Sequence, residues 1–152
     1  MTSTKADPRR TARELVLQGL YQRQLSGNAD EAIRVSLAES EGFATADAGY
    51  FAELWRGVTG EWEPMLGRIA PHCARAVADL SPIERAILAI GAWELGHRLE
   101  IPYRVVINEA VELAKSYGAT DGHKFVNGVL DKVAREARSA EIAALARERR
   151  GG

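Results

Sequence analysis

Apolar residues recur at helical spacing through most of the chain, and nowhere do they alternate in the period-two pattern of a half-buried strand. The first stripe, Ala12, Leu15, Val16, Gly19 and Leu20, follows Asp7-Pro8, where Asp can cap and Pro is pre-set for the first helical position. It ends at Ser26-Gly27-Asn28. A shorter helix is expected from about Ala29 to Glu39, burying Ile33 and Leu37, before a break at Gly42. A third begins near Thr45 and turns Tyr50, Phe51, Leu54, Trp55 and Val58 inwards.

Between Gly60 and Ala78 the pattern of Met65, Leu66 and Ile69 is interrupted by Pro64 and Pro71, so two short helices are expected there. Ser81-Pro82-Ile83-Glu84 reads as a capping box with Pro in the first turn, opening a core helix through Ile83, Ile87, Ile90 and Trp93 to about Arg98. After Ile101-Pro102, Val106, Ala110, Leu113, Ala114 and Tyr117 form one stripe. Gly118 is expected to end it as a left-handed cap, with Thr120 or Asp121 as an ordinary N-cap beyond. The last stripe is Val126, Val129, Leu130, Val133 and Ala137, and its helix is expected to run on past Ser139 before fraying in an arginine-rich, Gly-Gly end. The pattern predicts an all-α protein.

Composition adds the class. The chain has 152 residues, 46% hydrophobic and 27% charged, the balance of a soluble globular protein with one domain or two small subdomains. The longest apolar run, Ala86 to Trp93, falls far short of the roughly 20 residues that span a bilayer. The polar start MTSTKADPRR lacks the apolar region of a signal peptide, so a cytoplasmic protein is expected. Cys73 is the sole cysteine, which rules out an intrachain disulfide and a thiolate zinc site within the chain, and it reads as a buried structural residue. Net charge is −1, but unevenly placed: Lys5 to Arg13 is basic, and Asp30 to Glu63 is strongly acidic.

Two segments carry candidate chemistry. Arg9, Arg10 and Arg13 crowd the start of the first helix, where positive charge opposes the macrodipole at about 0.3–1 kcal/mol per residue. A phosphate backbone would offset this, since guanidinium groups and helix N–H groups both favour anions. The same residues also read as a solvated cluster compensated by Asp7 and Glu14. The turn from Tyr117 to Phe125 gathers glycines, two aromatics, Asp121, His123 and Lys124, which suits stacking and hydrogen bonding to unpaired bases. Tyr117 and Phe125 equally suit core positions at helix ends.

Glu94-Leu95-Gly96-His97 resembles half of a di-iron carboxylate site, but His72 and His123 have no glutamate three residues before them. His97 therefore reads as an exposed residue near a helix C-terminus. Nucleophile-elbow, phosphate-loop, dinucleotide and H-E-x-x-H signatures are absent, so no catalytic residue, metal or cofactor is expected.

The run Ile101-Pro-Tyr-Arg-Val-Val-Ile-Asn-Glu-Ala-Val-Glu-Leu-Ala-Lys-Ser-Tyr-Gly-Ala-Thr-Asp-Gly-His-Lys-Phe-Val-Asn-Gly-Val-Leu-Asp-Lys132 closely resembles the C-terminal signature of the NusB family. Arg9-Arg10-x-Ala-Arg13-Glu14 leading to Gln18 and Leu20-Tyr21 looks like that family's basic first helix, and Ile83-Glu84-Arg-Ala-Ile-Leu88 like its central helix. The similarity covers roughly Arg9 to Arg138. Thr11 stands where the family's arginine run often continues.

The resemblance implies about seven helices arranged as two perpendicular three-helix bundles. It implies a non-enzymatic transcription antitermination factor that pairs with the small-subunit ribosomal protein NusE, binds boxA-type single-stranded RNA of nascent rRNA transcripts, and joins other Nus factors on RNA polymerase. RNA contacts are implied at Arg9, Arg10, Gln18, Lys115, Asp121, Lys124 and Phe125, to which the basic cluster adds Arg13 and the turn adds Tyr117, and partner contacts are implied at Tyr21, Glu84, Arg85 and Leu88. The free protein is a monomer or a homodimer. The organisation expected is a flexible N-terminal arm over residues 1–8, an RNA-binding helical domain over 9–138, and a helical extension with a disordered tail over 139–152. Two rivals differ in their consequences: a protein-interaction scaffold has no RNA affinity, and a Glu94/His97 metal enzyme holds iron or manganese.

Overall fold

Eight α-helices and three short 3-10 turns make up the regular structure of the computed structural model, which describes residues 7–151. Most of the expected N-terminal arm, residues 1–6, lies outside the described residues. Contacts divide the chain into two compact units, the first ending at Trp62.

In the first unit α1 (Pro8–Ser26) starts where expected: the Asp7 carboxylate accepts the backbone N–H of Arg9 at 2.9 Å, and Pro8 occupies the first turn. Helix α2 (Asp30–Ala38) buries Ile33 and Leu37. Helix α3 (Ala48–Gly60) begins later than Thr45, because a 3-10 turn over Glu41–Thr45 intervenes and Asp47 supplies the cap, accepting from Tyr50 N at 3.0 Å. Its buried residues are the expected Tyr50, Phe51, Leu54, Trp55 and Val58. A Cβ at Gly19 would lie 2.6 Å from Leu37 Cδ1 and from Trp55 Cζ3, so α1 packs against α2 and α3 at a distance only glycine permits.

The chain enters the second unit through α4 (Trp62–Ile69). Pro64 does not interrupt this helix. It sits in the first turn, where its missing N–H would have had no intrahelical partner. The stretch beyond holds 3-10 turns at Ala70–His72 and Val77–Asp79 in place of a second short helix. Helix α5 (Pro82–His97) opens with the complete capping box of Ser81 and Glu84 and is buried almost continuously from Ala86 to Leu95, as befits a helix packed on several sides. Helices α6 (Tyr103–Tyr117) and α7 (Gly122–Ala137) pack against it and against each other. A Cβ at Gly91 would fall 2.6 Å from Leu130 Cδ1, which sets how closely α5 and α7 approach.

Three details differ from the sequence pattern. Gly118 is extended (φ −89°, ψ 177°), not left-handed; the left-handed residue is Asp121 at φ 66°, and its side chain makes no capping bond. Glycine is needed at 118 for space, since a Cβ there would meet the Ala114 carbonyl oxygen at 2.7 Å. The last helical stripe does not run on past Ser139. It breaks at Arg138 (φ −124°, ψ 32°), and α8 (Ser139–Gly151) follows as a separate eighth helix. Cys73 is half-buried, its thiol donating to the Ile69 carbonyl at 3.3 Å, and burial pushes its pKa up.

The break at Arg138 has a visible cause. Its guanidinium is buried and donates to the carbonyls of Leu95 (2.8 Å), Ile101 (2.9 Å), Arg98 (2.9 Å) and Glu94 (3.3 Å), while pairing with Glu141 at 2.6 Å. These oxygens belong to the end of α5 and the loop after it, where backbone donors run short, although those of Glu94 and Arg98 also accept from Arg98 N and Ile101 N. No helix among the described residues is long and apolar enough to cross a membrane.

Candidate nucleic-acid interface

The first-unit patch lies on the opening turns of α1. Arg9 places its guanidinium 4.6 Å from the centroid of the Tyr50 ring and 3.9 Å from the Asp47 carboxylate. Arg13 lies over the same ring at 5.4 Å, but it is only 3% exposed. The expected cluster of three presented arginines is thus corrected to two. Arg13 projects inward from α1 and forms part of the packing around Tyr50, whereas Arg9 is half-exposed and Arg10 exposed. The charge held against the macrodipole is therefore partly balanced inside the protein, by Tyr50, Asp47 and the Asp7 cap. Gln18 is exposed further along α1. Thr11 is buried, its hydroxyl donating to the Asp7 carbonyl at 3.3 Å, so position 11 faces the interior.

The second-unit patch is the junction of α6 and α7. Lys115 and Tyr117 are exposed on the last turn of α6, with Lys115 3.5 Å from Glu112. Asp121 and Lys124 are exposed and pair at 3.5 Å, an i,i+3 contact that water screens readily. Asp121 holds a left-handed backbone that a non-glycine residue adopts only at a cost. Phe125 is half-buried.

Arg75, which no sequence motif singles out, belongs to this second patch. Its guanidinium lies 4.9 Å from the Phe125 ring centroid and 3.6 Å from Glu84 Oε1. The only sequence signal was a basic residue in the stretch interrupted by Pro64 and Pro71, where no helical register says which way a side chain points.

The four residues expected at a partner face are placed differently from one another. Tyr21 is 40% exposed on α1. Glu84 is nearly buried, engaged with Ser81 and Arg75. Arg85 donates to the carbonyls of Val77 (3.2 Å), Ala78 (3.1 Å) and Leu80 (2.6 Å), so it clamps the 3-10 segment before α5. Leu88 is fully buried in α5, and a contact surface cannot include it as it stands. For the metal alternative, His97 stacks on Trp93 at 4.9 Å, and among the described residues no three His, Cys, Asp or Glu side chains gather as a metal site.

Fold and side chains together define an all-α protein that carries arginine-on-aromatic layers, Arg9 on Tyr50 and Arg75 on Phe125. The sequence profile of the NusB family matches residues 10–135, and the chain belongs to that family. It is 53% identical over 137 residues to the transcription antitermination protein NusB of Thiobacillus denitrificans, covering 90% of this chain and 94% of the relative. Against the protein of that name from Aromatoleum aromaticum it is 51% identical over 142 residues, covering 93% and 97%. Among solved structures, T. maritima NusB superposes with a TM-score of 0.76 at 30% identity, over 86% of this chain and 92% of that one. The antitermination factors NusB and NusE in complex with dsRNA give 0.73 at 24% identity, over 84% and 96%, a likeness of fold.

Proposed function

We propose that this protein is a non-enzymatic transcription antitermination factor of the cytoplasm that binds boxA-type single-stranded RNA of nascent rRNA transcripts together with the small-subunit ribosomal protein NusE. The observation that carries this reading is identity of about half the residues to antitermination proteins over nine-tenths of the chain.

The residues support a division of labour. Arg9 and Arg10 on the first unit hold phosphates, giving salt-sensitive affinity, with Gln18 beside them. Lys115, Tyr117, Asp121, Lys124 and Phe125 on the second unit stack on and hydrogen-bond to unpaired bases. Arg13 serves this site by packing on Tyr50, which also carries Arg9. Tyr21 and Glu84 contact the ribosomal protein. Two surfaces sharing one RNA make binding tighter with the partner than without it. The assembled complex then joins other Nus factors on RNA polymerase.

Transcription in vitro through a terminator downstream of a boxA-like element tests the function. Added protein, with the other factors present, raises read-through; read-through that is equal with and without it contradicts the proposal.

A further inference from the structure

The Phe125 ring is not a bare stacking surface, because the Arg75 guanidinium lies over it at 4.9 Å. A base approaching that side of the ring meets Arg75 first. Arg75 is itself half-exposed, with 51% of its side chain accessible, although it stands in a segment whose backbone is well anchored. The Cys73 N–H bonds to the Ala70 carbonyl on one side, and Arg85 clamps the carbonyls of Val77, Ala78 and Leu80 on the other.

What orients the guanidinium is Glu84. Its Oε1 stands 3.6 Å from Arg75 Nη2 and also accepts from Ser81 Oγ at 3.3 Å and Ser81 N at 3.5 Å. Its Oε2 lies 3.4 Å from where a Cβ on Gly122 would be, against the first residue of α7. The carboxylate is nearly buried and fixed by the capping box, so it is a rigid anchor for a side chain that would otherwise move freely in water.

We infer that Arg75 is a base-stacking residue of the RNA site, presenting its guanidinium over the Phe125 ring, and that Glu84 is its positioning residue. This deepens the RNA-binding reading and rests on it. The ligand class is an unpaired nucleobase, for which a guanidinium plane is an established kind of platform. The ion pair with Glu84 neutralises Arg75 locally, so its contribution lies in the plane more than in the charge. Lysine, a point charge on a flexible stem, cannot replace it.

The test is RNA binding by the full chain with NusE present, read by fluorescence anisotropy on a labelled boxA-like RNA across a salt series. Circular dichroism confirms that each variant is folded. Arg75→Ala is expected to weaken binding on the order of tenfold, the usual loss for one stacked base. Arg75→Lys is expected to weaken it nearly as much with the salt slope unchanged. Read on the full chain without NusE, so that any partner contact of Glu84 does not enter, Glu84→Gln weakens binding in the wild-type background and has no further effect in Arg75→Ala, because it acts through that residue. Unchanged affinity in Arg75→Ala, or full rescue by lysine, overturns the inference while leaving RNA binding standing. A wild-type chain that binds no RNA overturns the functional reading and this inference with it.

Discussion

Arg138 Nη2 donates to the backbone carbonyl of Arg98 at 2.9 Å, one of four main-chain oxygens that a single buried guanidinium satisfies where α5 ends. Arg138→Ala takes the guanidinium from the Leu95 and Ile101 carbonyls, while those of Glu94 and Arg98 keep the backbone N–H groups of Arg98 and Ile101, and it removes the 2.6 Å ion pair with Glu141. The expected loss is about 3 kcal/mol, the scale for breaking a buried, hydrogen-bonded charge cluster. Urea denaturation checks it. Arg138→Lys recovers only part, since one ammonium cannot reach four acceptors. A loss below about 1 kcal/mol would show that water replaces the guanidinium without penalty.

Arg10 and Arg13 sit three residues apart on α1, yet their substitutions should separate. Arg10→Ala reduces the magnitude of the log–log salt slope of single-stranded RNA binding by about 0.7, the contribution of one phosphate. Arg13→Ala leaves the slope at its wild-type value and lowers the unfolding midpoint, because Arg13 is buried over Tyr50. Salt titrations and thermal melts on the same samples distinguish the two. A slope change in Arg13→Ala with no loss of stability would contradict the placement.

Asp121 should show a split between stability and binding. Its φ of 66° favours glycine, so relief of strain in Asp121→Gly roughly cancels the added freedom of the unfolded chain, and stability stays within about 0.5 kcal/mol. Asp121→Val costs about 1–2 kcal/mol more, since a branched side chain resists the left-handed region. RNA affinity falls in both variants with the carboxylate gone. Strong destabilisation by glycine would mean that the side chain, not the backbone, is what the fold requires there.

The Cys73 thiol has its pKa raised by burial, with the nearby Arg75 charge pulling the other way. A raised value means less thiolate at a given pH, so Cys73 should react with a disulfide reagent at pH 8 more slowly than a free thiol in solution. Arg75→Ala removes the opposing charge and should slow it further. Faster labelling than the free thiol would contradict this.

The helices were legible in the sequence wherever an apolar stripe met a cap: Asp7-Pro8, Ser81 with Glu84, and the five inward residues of α3 follow from spacing and capping chemistry alone. Boundaries set by a single side chain were not. The break between α7 and α8 depends on Arg138 reaching carbonyls some forty positions earlier, and no local periodicity encodes that. The left-handed backbone falls at Asp121 and not at Gly118 because a glycine in a turn can be there for its φ or for its lack of a Cβ, and only packing against Ala114 distinguishes these.

At the candidate site, residue types and the family signature point to both patches, but which side chains turn inward is not legible in them. Arg13 and Leu88 carry the right identities on the right helices, but helical phase turns them into the interior. Arg75, in a stretch with no periodicity, could be placed over Phe125 only by the three-dimensional path of the chain.

The most direct test of the central claim is fluorescence anisotropy of a labelled single-stranded boxA-like RNA against a scrambled RNA of equal length, titrated with and without NusE. The account predicts tighter binding to the boxA-like RNA, strengthened by NusE and weakened by salt. Equal affinity for the two RNAs, or none for either with NusE present, would contradict RNA recognition and leave a helical scaffold for protein partners in its place.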